Sequence, residues 1–259
     1  MNLRDRLSLS FTSHLATSPE GRAFVLNQIA LAEGNGEARL FDSILTFVDD
    51  PKLATMVRKH RDDEIRHEQL FLARRDATGI DPGPVPDHLR MMDRLDRALG
   101  GLLDRQVTDA RGVMDAYLVL QVVEERAVHQ FDMLEQAFRP VDAETADTFI
   151  EVARDEERHL RYCQAISKRY APNERARTER LDALRELEAR VFANANVANM
   201  QYILEHEMFR GPMRRFAWKI LGDVTARGSM LPYTEFHGVH DISPILARRT
   251  NVTTEAAAA

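Results

Sequence analysis

The most constraining feature of the sequence is a set of side chains that recur at alternating intervals of four and three between residues 113 and 138. The set consists of Val113, Tyr117, Leu120, Glu124, Ala127, Phe131, Leu134 and Phe138. This spacing places every member on one face of a helix that packs inside a bundle. One member is a glutamate, and an ionised carboxylate in an apolar interface is costly unless positive charge offsets it.

Three other segments repeat this pattern, each with a carboxylate near the middle of an apolar face. The predicted helices cover about 18–47, 51–78, 105–138 and 142–170, and they are bounded by Ser18-Pro19, Asp50-Pro51, Arg139-Pro140 and Ala171-Pro172. The central carboxylates are Glu33, Glu64, Glu124 and Glu156. The sequence therefore predicts four long helices that direct four glutamates towards one interior.

The rest of the chain is predicted to add helices to this bundle. A crossover at about 79–104, with a shorter helix at 87–103, joins the second long helix to the third. Beyond Pro172 we predict a helix at 173–209, a shorter one to about 226 and an irregular tail. We therefore predict an all-α fold, a four-helix bundle at 1–171, with a C-terminal extension at 172–259 packed on it.

Composition supports this fold class and limits the partners. The chain has only 12 glycines and 10 prolines in 259 residues, as expected of a helical protein. Its net charge of −6 offers no overall basic field for nucleic acid or an anionic membrane. One cysteine, no signal-peptide pattern and no long apolar run lead us to expect a cytoplasmic protein without a membrane segment.

The motif Asp-Glu-x-Arg-His occurs at 63–67 and again at 155–159. Residues three apart on a helix point the same way, so Glu64 with His67, and Glu156 with His159, can each present an oxygen and a nitrogen to one metal ion. We expect Glu33 and Glu124, from the partner helices, to bridge the two ions. Four carboxylates and two histidines favour iron, with manganese as the alternative, over zinc or copper.

Three assignments in this ligand set have alternatives. Glu37 competes with Glu33, which we prefer because the residues after it parallel those after Glu124. Glu125 competes with Glu124, which the apolar face favours. His60, four residues before Glu64, is a candidate additional ligand; the other interpretations are an outer partner of the ligands and a half-buried core histidine.

The remaining residues of the two motifs are candidates for outer partners of the ligands. A metal-bound histidine usually donates its second ring N–H to a carboxylate, and Asp63 and Asp155 lie four residues before the two histidines. Arg66 and Arg158 can pair with the opposite aspartate. Ordinary solvated helix charge is the alternative explanation for all four.

These residues, within about 18–170, resemble the ligand set of the ferritin-like non-haem di-iron carboxylate proteins. The Asp-Glu-x-Arg-His spelling is similar to that of bacterial multicomponent monooxygenases and acyl-carrier-protein desaturases. The stretches at 123–131 and 155–170 resemble the tRNA-modifying di-iron hydroxylases. A histidine such as His60 resembles the extra ligand of the arylamine N-oxygenases, although in those enzymes it precedes the second motif rather than the first. The resemblance implies two iron ions that activate O₂.

The leading functional hypothesis is an O₂-dependent oxidoreductase that hydroxylates or N-oxygenates a small organic substrate. Apolar residues Leu120, Ala127, Phe131 and Val152 are expected to wall a dry pocket beside the metals. No flavin, nicotinamide or iron–sulfur motif is found, so a separate reductase must supply electrons, and a homodimer is a candidate assembly. The alternatives are a ferroxidase or peroxide-scavenging iron protein of the ferritin and rubrerythrin kind, and a structural protein stabilised by metal.

Several other polar side chains are assigned simpler roles. We interpret Tyr117 and Tyr162 as residues of the packed core, with a redox-active or gating role as the alternative. Cys163 is interpreted as a small buried hydrophobe. His206 is predicted to be part of the charged surface. His237, His240 and Asp241 form a weak candidate metal motif in the irregular C-terminal region.

Overall fold

The computed structural model describes residues 3–34 and 37–206, together with 208, 211, 213, 216–220, 242, 244, 245 and 247. Three predictions lie outside these residues: the His237, His240 and Asp241 motif, the loose tail, and most of the short helix that was expected to reach residue 226. The side chain of Glu37, the alternative ligand to Glu33, also lies outside the described part of the chain.

The described residues form an all-helical protein without strands, which confirms the predicted fold class. The α-helices are α1 Leu3–Ala16, α2 Pro19–Gly34, α3 Glu37–Phe47, α4 Pro51–Asp76, α5 Met91–Ala98, α6 Ala110–Phe138, α7 Ala143–Tyr170 and α8 Glu174–Glu205. A short 3-10 helix, Asp87–Leu89, precedes α5. Two helices, α2 and α3, occupy the range in which one helix at 18–47 was predicted.

Side-chain caps fix where the long helices begin. The carboxylate of Asp50 accepts the amides of Lys52 and Leu53 at the start of α4. Asp109, Asp142 and Asn173 accept an amide three residues ahead at the starts of α6, α7 and α8. Because the cap is Asp109, α6 begins five residues later than the predicted residue 105.

Two helical hairpins make up the bundle. In the first, α2 and α3 both pack on α4, and contacts such as Glu33 with His67 and Asp42 with Arg61 show that they run opposite to it. In the second, α6 packs along the whole of α7, to which residues 139–142 connect it. The bundle is therefore built from two antiparallel helical hairpins, one formed by α2, α3 and α4 and the other by α6 and α7.

The hairpins meet where α4 lies antiparallel to α7. Arg74, near the end of α4, donates to Asp142 and Glu144 at the start of α7. Further along, Arg66 donates to Glu151, and Arg158 donates to Asp63. Residue numbers rise along one helix as they fall along the other, so the middle of each motif faces the middle of its counterpart.

Two apolar clusters flank the middle of the bundle. One contains Val57, Leu120 and Cys163 from α4, α6 and α7. The other contains Phe71, Phe131 and Phe149 from the same three helices, with ring centroids 5.6–5.8 Å apart. On each helix the predicted metal ligands lie between its members of the two clusters, so a polar layer is enclosed by apolar packing at both ends.

Two elements cover the bundle. Helix α8 packs on α6, and the guanidinium of buried Arg126 binds both carboxylate oxygens of Glu188 at 2.6 and 2.9 Å and lies 3.9 Å from the centre of the Phe192 ring. Helix α1, for which no helix was predicted, packs on α6 and carries Phe11, whose ring meets Trp218 edge-on at 5.1 Å. The predicted domain boundary at 171/172 stays a prediction.

The crossover between the hairpins contains less helix than predicted. Helix α5 ends at Ala98 rather than near residue 103, and Gly100 and Gly101 both have positive φ, a conformation that other residues adopt at a cost. None of the described helices has the length and continuous apolar character needed to cross a bilayer.

Candidate metal centre

Four helices contribute the predicted ligands to one buried layer. Glu33 comes from the end of α2, Glu64 and His67 from α4, Glu124 from α6, and Glu156 and His159 from α7. All are buried except Glu33, whose side chain is 10% exposed. The structure thus brings the six side chains together, with His60 as a seventh.

The first group of donor atoms, called the His67 group, comprises Glu33, Glu64, His67 and Glu156. The Nδ1 atom of His67 lies 3.4 Å from Oε2 of Glu33 and 3.3 Å from Oε1 of Glu156. It is 3.7 Å from Oε2 of Glu64. One nitrogen therefore faces three carboxylates.

The second group, called the His159 group, comprises His60, Glu64, Glu124 and His159. The Nδ1 atom of His159 lies 3.0 Å from Oε1 of Glu64 and 3.7 Å from Oε1 of Glu124. The Nε2 atom of His60 approaches the same two oxygens, at 3.3 and 2.9 Å respectively. Here two nitrogens face two carboxylates.

These separations are those expected of atoms that share a metal ion. Two ligand atoms bound to one first-row ion at about 2.1 Å lie roughly 3.0 to 3.4 Å apart in octahedral or tetrahedral geometry. Within each group, one donor atom per residue can be chosen so that all lie within 4.8 Å of one another. The buried glutamate and histidine groups can therefore hold metal.

The glutamates of the two motifs connect the groups. Glu156 directs Oε1 to His67 and Oε2 to His159, the latter at 2.9 Å. Glu64 likewise directs Oε2 to His67 and Oε1 to His159. We expected Glu33 and Glu124 to bridge two ions; in the structure each of them lies in one donor group, and their bridging stays a prediction. The helix spacing alone could not reveal how the glutamates of the two motifs connect the groups, because this depends on how closely α4 and α7 approach.

Each histidine is supported by the aspartate of the other motif. The Nε2 atom of His67 lies 3.3 Å from Oδ2 of Asp155, and that of His159 lies 3.3 Å from Oδ2 of Asp63. An Nε2–H that donates to aspartate leaves the lone pair of Nδ1 directed at the glutamates. The prediction that the aspartates serve the histidines is compatible with this geometry, but the support crosses between α4 and α7.

The two arginines complete this crossed arrangement. Arg158 donates to Oδ2 of Asp63 at 2.7 Å, and Arg66 donates to Asp155. Although burial alone raises the pKa of the Asp63 carboxyl, contacts with His159 and Arg158 outweigh it and hold this pKa well below its usual range. Asp63 therefore stays ionised and keeps its capacity to accept the histidine N–H.

The four glutamates divide into two pairs by acidity. Burial raises the pKa of Glu33 and of Glu124 well above the usual range, and the negative charges of Glu64 and Glu156 raise both further. Burial also disfavours ionisation of Glu64 and Glu156, but their contacts with the histidines prevail. The pKa of Glu156 is lowered to about 2, and that of Glu64 is held well below its usual range.

The histidines divide in the same way. Burial opposes protonation of His67 and His159, but the surrounding carboxylates raise the pKa of His159 to about 11 and that of His67 still further. Burial lowers the pKa of His60, and the positive charge of His159 lowers it again. Both effects favour the neutral form of the His60 imidazole.

The geometry also bears on the alternative ligands. Glu125 points away from the centre, towards Gln121 and Arg185, with a shortest contact of 2.6 Å to Arg185. This agrees with the preference for Glu124. Glu33 lies in the His67 group. The next residue, Gly34, packs closely against Glu68 of α4: a Cβ atom added to Gly34 would lie 2.3 Å from the carboxyl carbon of Glu68.

The other polar candidates lie around or away from the centre. Tyr117 and Cys163 are fully buried in the core, and the ring of Tyr162 lies 6.3 Å from that of His159. His206 is exposed and stacks on Tyr202. Leu120, Phe131 and Val152, expected to wall a pocket, are buried in the two apolar clusters, and Ala127 is partly buried against one of them. The pocket itself stays a prediction.

The centre thus consists of four glutamates and three histidines in two groups. Apolar side chains enclose it, and crossed aspartate and arginine pairs support its histidines. Comparison of the chain with known protein families, with curated proteins and with solved structures finds no match.

Proposed function

We propose that the protein is a non-haem di-iron oxidoreductase of the ferritin-like kind, which activates O₂ to hydroxylate or N-oxygenate an organic substrate. The observation that carries this proposal is the pair of buried donor groups joined through Glu64 and Glu156. Two ions held by shared carboxylates are the arrangement that four-helix carboxylate bundles use for iron or manganese.

The residues fit such a pair of ions in charge and in hydrogen bonding. Four carboxylates can offset the charge of two divalent cations, and oxygen-rich donor sets suit iron and manganese. Three buried donor atoms that face the centre, Oε1 of Glu64, Oε1 of Glu156 and Nδ1 of His67, have no hydrogen-bond partner within the described part of the chain. Buried polar atoms without partners are costly, and metal ligation would satisfy all three.

When bound, two ferrous ions supply electrons to O₂. Glu64 and Glu156, which contact both His67 and His159, would contribute oxygens to both ions, and Asp63 and Asp155 would orient the imidazoles. The apolar clusters exclude water on both sides, which strengthens every charge interaction at the centre.

The reaction requires an outside electron source. Insertion of one oxygen atom into a C–H or N–H bond consumes O₂, two electrons and two protons, and the second oxygen atom leaves as water. The sequence contains no redox cofactor motif, so we propose that a separate reductase supplies both electrons.

The test is anaerobic loading of the full chain with Fe²⁺, followed by iron analysis and measurement of O₂ uptake. We expect two irons per chain and rapid O₂ uptake. Glu64→Ala and Glu156→Ala should each lower bound iron below two, whereas Glu125→Gln, which changes a glutamate outside the centre, should retain two.

Three results would contradict the proposal. Unchanged iron binding in both alanine variants would show that Glu64 and Glu156 are not metal ligands. Hundreds of irons per assembly would favour a storage protein. Two irons that do not react with O₂ would favour a structural role for the metal.

A further inference from the structure

His60 has a position in the centre that neither Asp-Glu-x-Arg-His motif supplies. It precedes Glu64 by one turn of α4 and is completely buried. Its Nε2 atom lies 2.9 Å from Oε1 of Glu124 and 3.3 Å from Oε1 of Glu64. Nδ1 of His159 faces the same two oxygens, so imidazoles from two different helices contact the same pair of carboxylates.

Among the residues that the structure describes, none takes the corresponding place in the other group. The His67 group has the imidazole of His67 and three glutamates, whereas the His159 group has two imidazoles and two glutamates. The crossed aspartate and arginine pairs are otherwise alike on the two sides. The approximate symmetry of the two motifs is therefore broken at His60.

Packing holds the imidazole of His60 in this orientation. Its ring stacks on that of His159, with centroids 3.9 Å apart and an angle of 28° between planes. The ring of Phe41 lies 4.7 Å away on α3. The ring is thus fixed between an apolar wall and the neighbouring ligand, with Nε2 directed at the carboxylates.

We propose that His60 is a third nitrogen ligand of the centre, which makes its two metal positions chemically different. This inference rests on the proposed two-metal function. The position in the His159 group binds through two imidazoles, and that in the His67 group through one.

His60 differs from the other two histidines in one respect. Its second nitrogen, Nδ1, has no hydrogen-bond partner among the described residues, whereas Nε2 of His67 and of His159 each face an aspartate. An outer carboxylate raises the basicity of a ligand imidazole. His60 should therefore contribute less to affinity than His159 contributes to the same position.

The test combines anaerobic Fe²⁺ titration of the full chain with Mössbauer spectroscopy of the ⁵⁷Fe-loaded protein. The wild-type chain should bind two ions and give two distinct ferrous signals. His60→Ala and His60→Phe should weaken one ion at least about tenfold and shift mainly one of the two signals, with a smaller loss than His159→Ala.

The variants separate ligation from packing. His60→Phe keeps an aromatic ring between Phe41 and His159 but has no nitrogen, so it tests the ligand role even if His60→Ala folds poorly. Phe41→Leu changes the packing on the same ring and should leave both affinities within about twofold. A larger effect of Phe41→Leu than of His60→Phe would overturn the inference.

Different results would contradict the ligand role of His60 and the proposed two-metal function. If the wild-type chain binds two reactive irons with one signal, and His60→Phe changes neither affinity, the function stands and His60 is not a ligand. If the wild-type chain does not bind two ions, the proposed function itself is wrong.

Discussion

At the scale of residues, protonation takes the place of metal in the ion-free centre. The raised pKa values of Glu33 and Glu124 favour the neutral carboxyl groups, and those of His67 and His159 keep both imidazoles positively charged near pH 7. The two positive imidazoles offset the charges of the two ionised glutamates, Glu64 and Glu156. Metal ions must displace these protons to reach the donor atoms.

This protonation predicts that metal uptake acidifies the solution. The histidines His67 and His159 each lose a proton, and Glu33 and Glu124 lose any that they hold, so near pH 7 a lightly buffered metal-free chain should release at least two protons for two divalent ions. Because protons are released, affinity should fall as pH falls. A pH-stat titration with Fe²⁺ measures the number, and a value near zero would mean that the donors are already deprotonated.

The crossed support predicts which ion each aspartate affects. Asp155→Asn should weaken the ion of the His67 group by about 10- to 100-fold, although Asp155 belongs to the motif of His159. Separate affinities for the two ions can be measured by anaerobic Fe²⁺ titration with ⁵⁷Fe Mössbauer detection.

The matched control for this substitution is Asp62→Asn. Asp62 lies on α4 next to Asp63, but its side chain is 65% exposed and contacts Arg61. The Asp62→Asn variant should bind both iron ions with the affinities of the wild-type chain. A loss confined to the ion of the His159 group in Asp155→Asn would show that each aspartate serves its own motif.

Residue types and helical phase were sufficient to predict which side chains gather in the centre. Glu64 and His67 share a helix face because they are three residues apart, and the same holds for Glu156 and His159. The contacts of Glu64 and Glu156 with both donor groups could not be predicted in this way. They depend on the distance and rotation between α4 and α7, which two separate helical patterns do not contain.

At the scale of elements, α8 holds α6 through a buried ion pair. Glu188→Ala would remove the carboxylate that two nitrogens of Arg126 contact, and both side chains are at most 7% exposed. Removing one partner of such a pair should lower the free energy of unfolding by about 3 kcal/mol. Urea denaturation of the metal-free chain measures this change.

An exposed pair on the same helix provides the comparison. Glu186 contacts Arg190, and both side chains are about half exposed. Glu186→Ala should therefore change the free energy of unfolding by no more than about 0.5 kcal/mol. Equal effects of the two substitutions would mean that burial does not strengthen the Arg126 contact.

Sequence patterns differed in how well they located the helices. Helices α4, α6 and α7 combine an apolar face with a cap residue or proline at the start, and their C-terminal ends lie within two residues of the prediction. Helix α1 has polar residues between its apolar ones and no proline at its start, so its presence depends on packing against α6. Tertiary contact rather than local pattern determines such an element.

At the scale of the whole molecule, metal should stabilise the fold because the ligands come from both hairpins. At a free Mn²⁺ concentration about 100-fold above the dissociation constant, each site adds about 2.7 kcal/mol to the free energy of unfolding. Glu64 belongs to both donor groups, so Glu64→Ala should lose most of this gain. Thermal unfolding with and without Mn²⁺ measures it, and an equal gain in wild type and variant would place the ions elsewhere.

The order of the hairpins in the chain was predictable, but their docking was not. Matching intervals from Glu33 to Glu64 and from Glu124 to Glu156 indicate two similar hairpins. The antiparallel contact of α4 with α7 depends on side chains such as Arg74, which donates to Asp142 and Thr145 at the start of the other helix. Single arginines of this kind have no periodic signature in a sequence.

The crossed aspartate and histidine pairs have a consequence for how the sequence can vary over time. Asp63 and His159 act as one unit, as do Asp155 and His67, although about ninety residues separate the members of each pair. A replacement in one motif can therefore be compensated only in the other. Among descendants of a common ancestor we expect positions 63 and 159 to change together, and likewise 155 and 67, so that the two motifs are inherited as interdependent halves.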